Sequence, residues 1–376
     1  MSQATFSASE WLRYTRHLQL PQIAVAGQQR LKNSKVLVVG AGGLGSPVLL
    51  YLAAAGVGQI TIIDGDCVEL TNLQRQIIFS SEQIGQPKAQ CARERLVALN
   101  PEIEVVGINA YLTHENIQQW FDDKDLVIDC TDNFATRYLI NDTCRERRIP
   151  WLFASIFRFS GQCALFTEQS ACFRCLFPEA PQDAADCNDA GVLGVLPGLL
   201  GTLQANEAIK YLINLETPLE NHLLLVEALD LSFRRIQLAK SSHCPQCGSV
   251  EPSVTDNGQI NRFDHFCSSD EGAPSTITAK EWKALADSDH SSARVLDVRS
   301  HAERSAFHLG GEWIPLDQLI QHVATFDKQQ TLICYCQSGV RSDKAAKLLA
   351  QHGLNAKSVR GGIVEMLKSS LEQKSY

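Results

Sequence analysis

The chain has 376 residues, of which 44% are hydrophobic and 20% are charged. This length fits two or three domains, and the composition excludes disordered, collagen-like and coiled-coil chains. The formal charge of −8, without a basic run, argues against a nucleic-acid-binding protein. The most apolar stretches, 51–63 and 192–200, are too short or interrupted to span a bilayer. We therefore expect neither nucleic acid nor a membrane as a partner.

Residues 1–20 lack the long apolar core of a signal peptide, so the sequence predicts a cytoplasmic protein. There are 13 cysteines, and in a reducing compartment cysteines serve metal binding, catalysis or core packing. Seven of them stand in no motif and are assigned no function: Cys67, Cys91, Cys130, Cys144, Cys163, Cys267 and Cys334.

After a helical N-terminal arm, strands and helices alternate in the first part of the chain. The predicted elements are strand Lys35–Val39, helix Ser46–Ala55, strand Ile60–Ile63, helix Lys88–Leu99 and strand Leu126–Asp129. This alternation predicts an α/β domain with a parallel sheet and helices on both faces. Ligands bind such a sheet at the carboxyl ends of its strands.

The composition changes near residue 250, where the chain becomes rich in Ser, Asp, Gly and Pro. The alternation restarts afterwards, with strands over Arg294–Val298 and Thr331–Tyr335 and a helix over Ser342–His352. About 100 residues suffice for a small independent domain. We therefore expect three segments, which are a first α/β domain over 1–250, a linker over 251–275 and a second α/β domain over 276–376.

The first predicted strand runs into a glycine turn, GAGGLG over 40–45, that opens a helix. Such a turn can bring a phosphate to the helix N-terminus, and Asp64, after the next strand, can bind ribose hydroxyls. This pattern alone favours a dinucleotide, or a simple packing turn. Arg75, Lys88 and Asp132 favour ATP instead, because two cations offset phosphate charge and a carboxylate can hold magnesium.

Six stretches of the first 250 residues resemble the bacterial ubiquitin-activating-enzyme-like family, the molybdopterin-synthase adenylyltransferases and their thiamine-pathway relatives. They are RYTR at 13–16, GAGGLGSP at 40–47, DGD at 64–66, NLQRQ at 72–76, GQPKA at 85–89 and DCTDN at 129–133. The resemblance implies a Rossmann-like domain that binds ATP through Gly43, Asp64, Thr71, Asn72, Leu73, Gln74, Arg75, Lys88, Asp132 and Asn133. It also implies a homodimer, in which Arg16 reaches the partner subunit's nucleotide site.

The implied reaction is adenylation of a small ubiquitin-like sulfur carrier at its C-terminal Gly-Gly tail. The tail carboxylate attacks the α-phosphate of ATP and pyrophosphate leaves, so the protein has to position the reactants and neutralise charge. Asp132 would hold magnesium, while Arg16 of the second subunit, Arg75 and Lys88 would face the phosphates.

Two CxxC pairs, Cys172 with Cys175 and Cys244 with Cys247, together predict a structural zinc site of four thiolates. Either pair alone could be a redox motif; the family resemblance also points to zinc. Cys187 lies in a polar stretch, and the resemblance assigns a cysteine of this segment a covalent link with the carrier. The alternative for Cys187 is a small core residue.

Cys336 follows a predicted strand and starts the loop CQSGVR over 336–341, which precedes a helix. The loop amides, the helix N-terminus and Arg341 would stabilise its thiolate. Phosphatases of this type have one more residue between cysteine and arginine, and the smaller cradle suits persulfide sulfur. Residues 276–376 resemble a rhodanese domain, with further matches at Leu296–Arg299 and Arg360–Ile363; an inactive module is the alternative.

These features predict an adenylyltransferase fused to a sulfurtransferase. Attack of a Cys336 persulfide on the acyl-adenylate, followed by reductive release in which Cys187 could take part, would give a carrier thiocarboxylate. The pathway expected first is molybdopterin biosynthesis, with a thiamine-pathway carrier as alternative. Expected cofactors are ATP, magnesium and zinc, and the expected donor is a cysteine desulfurase or thiosulfate. A NAD-dependent oxidoreductase and a non-catalytic carrier-binding scaffold remain open.

Overall fold

A computed structural model describes residues 6–179, 191–248, 275–286 and 293–372 of the chain. The chain forms two compact units, the first ending at residue 260 and the second starting at residue 261. The expected domain bounds at 250 and 276 stay a prediction, because residues 249–274 lie outside the described ranges. No helix within those ranges is long and apolar enough to cross a bilayer.

The first unit is built around a mixed β-sheet. Its strands are β1 Lys35–Val39, β2 Gln59–Ile63, β3 Glu104–Ile108, β4 Leu126–Asp129, β5 Trp151–Phe157, β6 Ser160–Phe166, β7 His222–Glu227 and β8 Ser232–Gln237. They lie in the order β3-β2-β1-β4-β5-β6-β7-β8. Pairing is parallel from β3 to β5 and antiparallel from β5 to β8. The parallel prediction is therefore confirmed for one half of the sheet and wrong for the other, where β5–β6 and β7–β8 are hairpins.

Helices cover this sheet. They are α1 Ala8–Arg13, α2 Thr15–Leu18, α3 Ala24–Asn33, α4 Gly45–Ala55, α5 Lys88–Leu99, α6 Ile117–Phe121, α7 Phe134–Arg147, α8 Phe173–Leu176 and α9 Val195–Leu212, with 3-10 turns at Leu70–Asn72 and Ser81–Gln83. Helix α9 packs against α4 and β5. Helix α4 ends at Gly56, whose φ of 84° is left-handed and whose N–H closes the last turn.

Most side chains at the centre of the sheet are apolar and buried. Val36 and Val38 of β1 and Ile128 of β4 have no exposed surface, and they belong to one hydrophobic core. Because β1, β2 and β4 are parallel, their carboxyl ends meet at one edge. The loops that leave this edge carry the glycine turn, Asp64 and the stretch 130–133.

The second unit has a parallel sheet with strands in the order β11-β10-β12-β13-β9. These strands are β9 Ser275–Ile277, β10 Ala293–Asp297, β11 Glu312–Trp313, β12 Thr331–Tyr335 and β13 Ala356–Val359. Its helices are α10 Ala279–Ala286, α11 His301–Ala306, α12 Leu319–His322, α13 Val340–Gln351 and α14 Gly362–Glu372, with a 3-10 turn at Val323–Thr325. The predicted strands and the helix near 342–352 are confirmed. The central strand β12 leads directly into the Cys336 loop.

Candidate functional site

A cavity lies at the carboxyl edge of the parallel strands of the first unit. The polar and glycine residues that line it include Gly42, Gly43, Asp64, Asp66, Arg75, Gln76, Lys88, Tyr111, Thr131, Asp132, Asn133 and Arg137. Most of the predicted ATP-binding residues therefore meet in one place. Thr71, Asn72, Leu73 and Gln74 are not among the lining residues that the structure describes, and their predicted contact with ATP stays a prediction.

The glycine turn is tied to the end of the neighbouring strand. Gly40 has a φ of 95°, and its N–H donates to the carbonyl oxygen of Ile63 at 2.8 Å. A Cβ at Gly40 would come within 2.8 Å of the Cys130 carbonyl oxygen, so a larger residue does not fit. Helix α4 then begins at Gly45 without a side-chain cap. The N–H of Ser46 already donates to the Gly42 carbonyl oxygen at 2.9 Å, and Pro47 has no N–H. The glycine turn before the helix is therefore where a phosphate can approach the backbone.

Asp64 is held by two backbone amides. Its Oδ2 accepts from the N–H of Ala41 at 2.7 Å, and its Oδ1 accepts from the N–H of Asp66 at 2.8 Å. Burial raises the pKa of Asp64, and the hydrogen bond from Ala41 opposes that rise. Each carboxylate oxygen keeps a second lone pair, so the group can still accept hydrogen bonds from ribose hydroxyls.

Arg75 approaches the cavity from the segment after the 3-10 turn at Leu70–Asn72. Its Nη1 donates to the carbonyl oxygen of Thr71 at 3.2 Å, and its stem lies beside Gly43. Thr71 thus contributes its carbonyl to orienting Arg75. Gln76, which the sequence analysis missed as a candidate, is buried and lines the cavity next to Gly42.

Lys88 is the first residue of α5, and its side chain is almost fully buried. Its Nζ lies 2.8 Å from Oδ2 of Asp66, and the hydroxyl of Tyr111 donates to Oδ1 of the same carboxylate at 2.7 Å. Burial raises the pKa of Asp66, but the hydrogen bonds from Lys88 and Tyr111 outweigh it and lower the pKa. The sequence signal for Asp66 is its position as the last residue of the DGD stretch, whereas Tyr111 lies in none of the motifs.

A buried ion pair between Asp129 and Arg137 stabilises the loop that follows β4. Asp129 is fully buried, and its Oδ2 lies 3.4 Å from Nε of Arg137. The N–H and hydroxyl of Thr131 donate to the same carboxylate, and Arg137 donates to the Thr131 carbonyl at 2.6 Å. The Asn133 side chain caps α7. Asp132 lies exposed between these anchors, where its carboxylate can bind a cation beside the cavity.

Arg16 lies on α2, away from the lining residues of this cavity. Its guanidinium is exposed and donates to Oε1 of Gln19 at 3.4 Å. It is not among the cavity residues that the structure describes for its own subunit. Its predicted action in a partner subunit stays a prediction.

The two CxxC pairs meet as predicted. The four sulfur atoms lie within 4.8 Å of one another, with Cys172 to Cys244 at 3.5 Å and Cys175 to Cys247 at 3.3 Å. Zinc–thiolate bonds of about 2.3 Å in a tetrahedron put the sulfurs about 3.8 Å apart, so the cluster fits zinc. The N–H of Ser241 donates to the Cys175 sulfur at 3.4 Å, as expected around a thiolate ligand.

In the second unit, Cys336 is fully buried at the end of β12. Its sulfur accepts from the N–H of Gly339 at 3.1 Å and lies 3.6 Å from the hydroxyl of Ser342. The hydroxyl of Ser358 donates to Ser342 at 2.9 Å and so helps to orient it. Gly339 has a φ of 101°, a conformation that favours glycine. The hydroxyl of Ser342 donates to the Gly339 carbonyl oxygen at 2.8 Å, so the N–H of Gly339 is a neutral donor that can stabilise an anion on the sulfur.

The structure pairs Arg341 with a carboxylate, and its expected action on the sulfur anion stays a prediction. Its guanidinium donates to both oxygens of Glu303, at 2.8 and 2.6 Å. The hydrogen bond from Arg341 lowers the pKa of Glu303 to about 2. Glu303 was missed by the sequence analysis, because its partner lies in a different element.

The matched stretch Leu296–Arg299 supports the cysteine loop. Arg299 and Asp297 form a buried ion pair at 2.9 Å, and Nη1 of Arg299 donates to Oε1 of Gln337 at 3.3 Å. This contact links the stretch to the Cys336 loop. Cys187, predicted to form a covalent link, lies outside the described residues.

Comparison with known proteins gives two family matches. Residues 14–247 match the ThiF family, and residues 278–369 match the rhodanese-like domain. The chain is 38% identical over 382 residues to the probable adenylyltransferase/sulfurtransferase MoeZ of Mycobacterium tuberculosis, which covers 97% of this chain and 95% of that protein.

Two further similarities concern a shorter part of the chain. The sulfur carrier protein ThiS adenylyltransferase of Escherichia coli is 44% identical over 241 residues, covering 64% of this chain and 96% of that protein. Escherichia coli MccB, crystallised with MccA-N7isoASN, has a TM-score of 0.57 and 25% identity, covering 63% of this chain and 74% of that chain. The ThiS adenylyltransferase is thus matched over nearly its whole length by about two thirds of this chain.

Proposed function

Because this chain belongs to the ThiF family and continues into a rhodanese-like domain, we propose that it adenylates the C-terminal glycine of a sulfur-carrier protein and then transfers sulfur to it. The observation that carries the proposal is the meeting of the glycine turn, Asp64, Arg75, Lys88 and Asp132 at one cavity. A site for nicotinamide redox chemistry has no need of two cations and an exposed carboxylate.

In the adenylation step, Asp64 binds the ribose and the glycine turn binds the phosphates. The carrier's terminal carboxylate forms a bond to the α-phosphorus, and the bond to the β-phosphate oxygen breaks, releasing pyrophosphate. Arg75 and Lys88 face the phosphates and offset their charge. Asp132 holds magnesium, which when bound also neutralises phosphate charge.

In the sulfur step, a persulfide on Cys336 is the nucleophile. Its terminal sulfur bonds to the acyl carbon and AMP leaves, which gives an acyl disulfide between the carrier and Cys336. A thiol, supplied by Cys187 or by an external reductant, then attacks the Cys336 sulfur, forming a new disulfide and releasing the carrier thiocarboxylate. The N–H of Gly339 supports the proposal, because it can stabilise the sulfur anion between turnovers.

Two assembly features complete the proposal. The four clustered cysteines hold structural zinc, which ties the segment around Cys244 to that around Cys172. The chain acts as a homodimer, in which Arg16 enters the partner subunit's ATP site. We place the reaction in the cytoplasm, where ATP is available and thiols stay reduced.

The names of the relatives guide the choice of carrier. MoeZ matches along almost the whole chain, so we propose a carrier for molybdopterin biosynthesis, with a cysteine desulfurase or thiosulfate as the sulfur donor. The similarity to the ThiS adenylyltransferase makes a thiamine-pathway carrier the second candidate.

The proposal is tested by exchange of labelled pyrophosphate into ATP in the presence of a carrier ending in Gly-Gly. We expect exchange by the wild type, and equal exchange by Cys336→Ala, which loses only thiocarboxylate formation. A carrier-binding scaffold would bind the tail without exchange, and an oxidoreductase would bind NAD in competition with ATP. Either result would overturn the proposal, as would normal thiocarboxylate formation by Cys336→Ala.

A further inference from the structure

Asp66 is a charged residue of the cavity to which the proposed reaction gives no role. Both of its carboxylate oxygens bind side chains that line the cavity: Oδ2 binds the Lys88 ammonium at 2.8 Å, and Oδ1 accepts from the Tyr111 hydroxyl at 2.7 Å. Its backbone is fixed as well, because the N–H of Lys88 donates to the Asp66 carbonyl at 2.9 Å. Asp66 is therefore in one defined position.

The buried ammonium of Lys88 depends on the Asp66 carboxylate as its charged partner. The Lys88 side chain is only 6% exposed, whereas that of Asp66 is 50% exposed. A buried ammonium needs a charged or strongly polar partner, and the structure supplies Asp66. Asp66 thus determines where the Lys88 charge points.

The same carboxylate opposes the binding of a triphosphate. A negative charge 2.8 Å from Nζ cancels much of the field that Lys88 would exert on the phosphates of bound ATP. Tyr111 holds the second oxygen in place, so the carboxylate has little freedom to swing away. This arrangement weakens the attraction between Lys88 and the phosphates of bound ATP but keeps the ammonium in one position. It therefore favours binding of the transition state over binding of the substrate.

We propose that Asp66 is a positioning residue for adenylation: it holds Lys88 where negative charge develops on the departing pyrophosphate, at the expense of affinity for ATP. This inference rests on the proposed function and assigns a new role within the same cavity. Tyr111 acts one step further away, by fixing the Asp66 carboxylate.

The test separates binding from rate. In Asp66→Asn, we expect the dissociation constant for ATP, measured by calorimetry without carrier, to tighten about three- to tenfold, because the opposing charge is gone. The maximal rate of pyrophosphate exchange falls about tenfold in the same variant, because Lys88 has lost its anchor. A purely structural defect would weaken ATP binding together with the rate.

A double-mutant cycle shows whether Asp66 acts through Lys88. In a Lys88→Gln background, Asp66→Asn should cause no further loss of exchange rate. Tyr111→Phe leaves the ion pair between Lys88 and Asp66 in place, so it should lower the exchange rate by a smaller factor without weakening ATP binding. If Asp66→Asn does not fold, Tyr111→Phe is the variant that tests the proposal. Weakened ATP binding in these variants, or additive rate losses, would overturn the role of Asp66. Absence of exchange in the wild type would instead refute the proposed function.

Discussion

The carboxylate of Glu303 binds the guanidinium of Arg341 through two hydrogen bonds of 2.6 and 2.8 Å. Glu303 is itself oriented by Ser300, whose N–H and hydroxyl donate to its Oε2. Arg341 is therefore held by Glu303, while the N–H of Gly339 donates to the cysteine sulfur at 3.1 Å.

This pairing predicts a modest role for Arg341 in sulfur transfer. We expect Arg341→Ala to lower transfer from a persulfide donor to cyanide by about tenfold or less, because the N–H of Gly339 remains. Cys336→Ala should reduce the same assay to background. Arg294→Ala is a matched control, since Arg294 pairs with Glu312 in the same unit, and it should leave transfer unchanged. Equal losses for Arg341→Ala and Cys336→Ala would contradict this prediction.

The same ion pair predicts a pH dependence of stability. The pKa of Glu303 is lowered to about 2 in the folded chain, so its contribution is present above the unfolded pKa of about 4.5 and is lost as the pH falls towards 2. Glu303→Gln should therefore lower the melting temperature of the full chain at about pH 6, and less at about pH 3. Thermal unfolding followed by circular dichroism measures both. A constant difference between wild type and variant would mean that the pair does not stabilise the fold.

Metal analysis should find about one zinc per chain, because the four clustered sulfurs can supply all the ligands of one tetrahedral site. Cys244→Ser should lower both zinc content and melting temperature, since a structural metal contributes folding free energy. Cys67→Ser is the control, because Cys67 is exposed and lies outside the cluster. Full zinc retention after replacement of both Cys244 and Cys247 would refute the site.

Co-expression of two inactive variants tests the action of Arg16 across a dimer. Arg16→Ala and Asp132→Ala should each lose most pyrophosphate exchange, and their mixture should recover about a quarter of wild-type activity, since a mixed dimer keeps one complete site. A mixture of Asp132→Ala with Lys88→Ala is the control, because these residues line the same cavity and no mixed dimer has a complete site. If the first mixture recovers no activity, Arg16 acts in the ATP site of its own subunit.

Local patterns in the sequence predicted much of the first unit. The β-branched run before the glycine turn predicted β1, and the turn predicted the start of α4, because a strand, a tight turn and a helix are each specified by neighbouring residues. The CxxC spacing likewise predicted the cysteine cluster, since each pair presents two thiolates on one turn. The Cys336 loop between β12 and α13 was predicted on the same local grounds.

The partners of charged side chains were decided by the tertiary structure alone. The fold places Asp66 beside Lys88 and Glu303 beside Arg341. The expected contacts of Lys88 with phosphates and of Arg341 with a sulfur anion stay predictions. The antiparallel half of the sheet, β5 to β8, also escaped prediction. Hydrophobic period and turn residues act over a few neighbours, whereas an ion pair or a strand pairing joins segments far apart in the chain, and only packing of the whole unit brings them together.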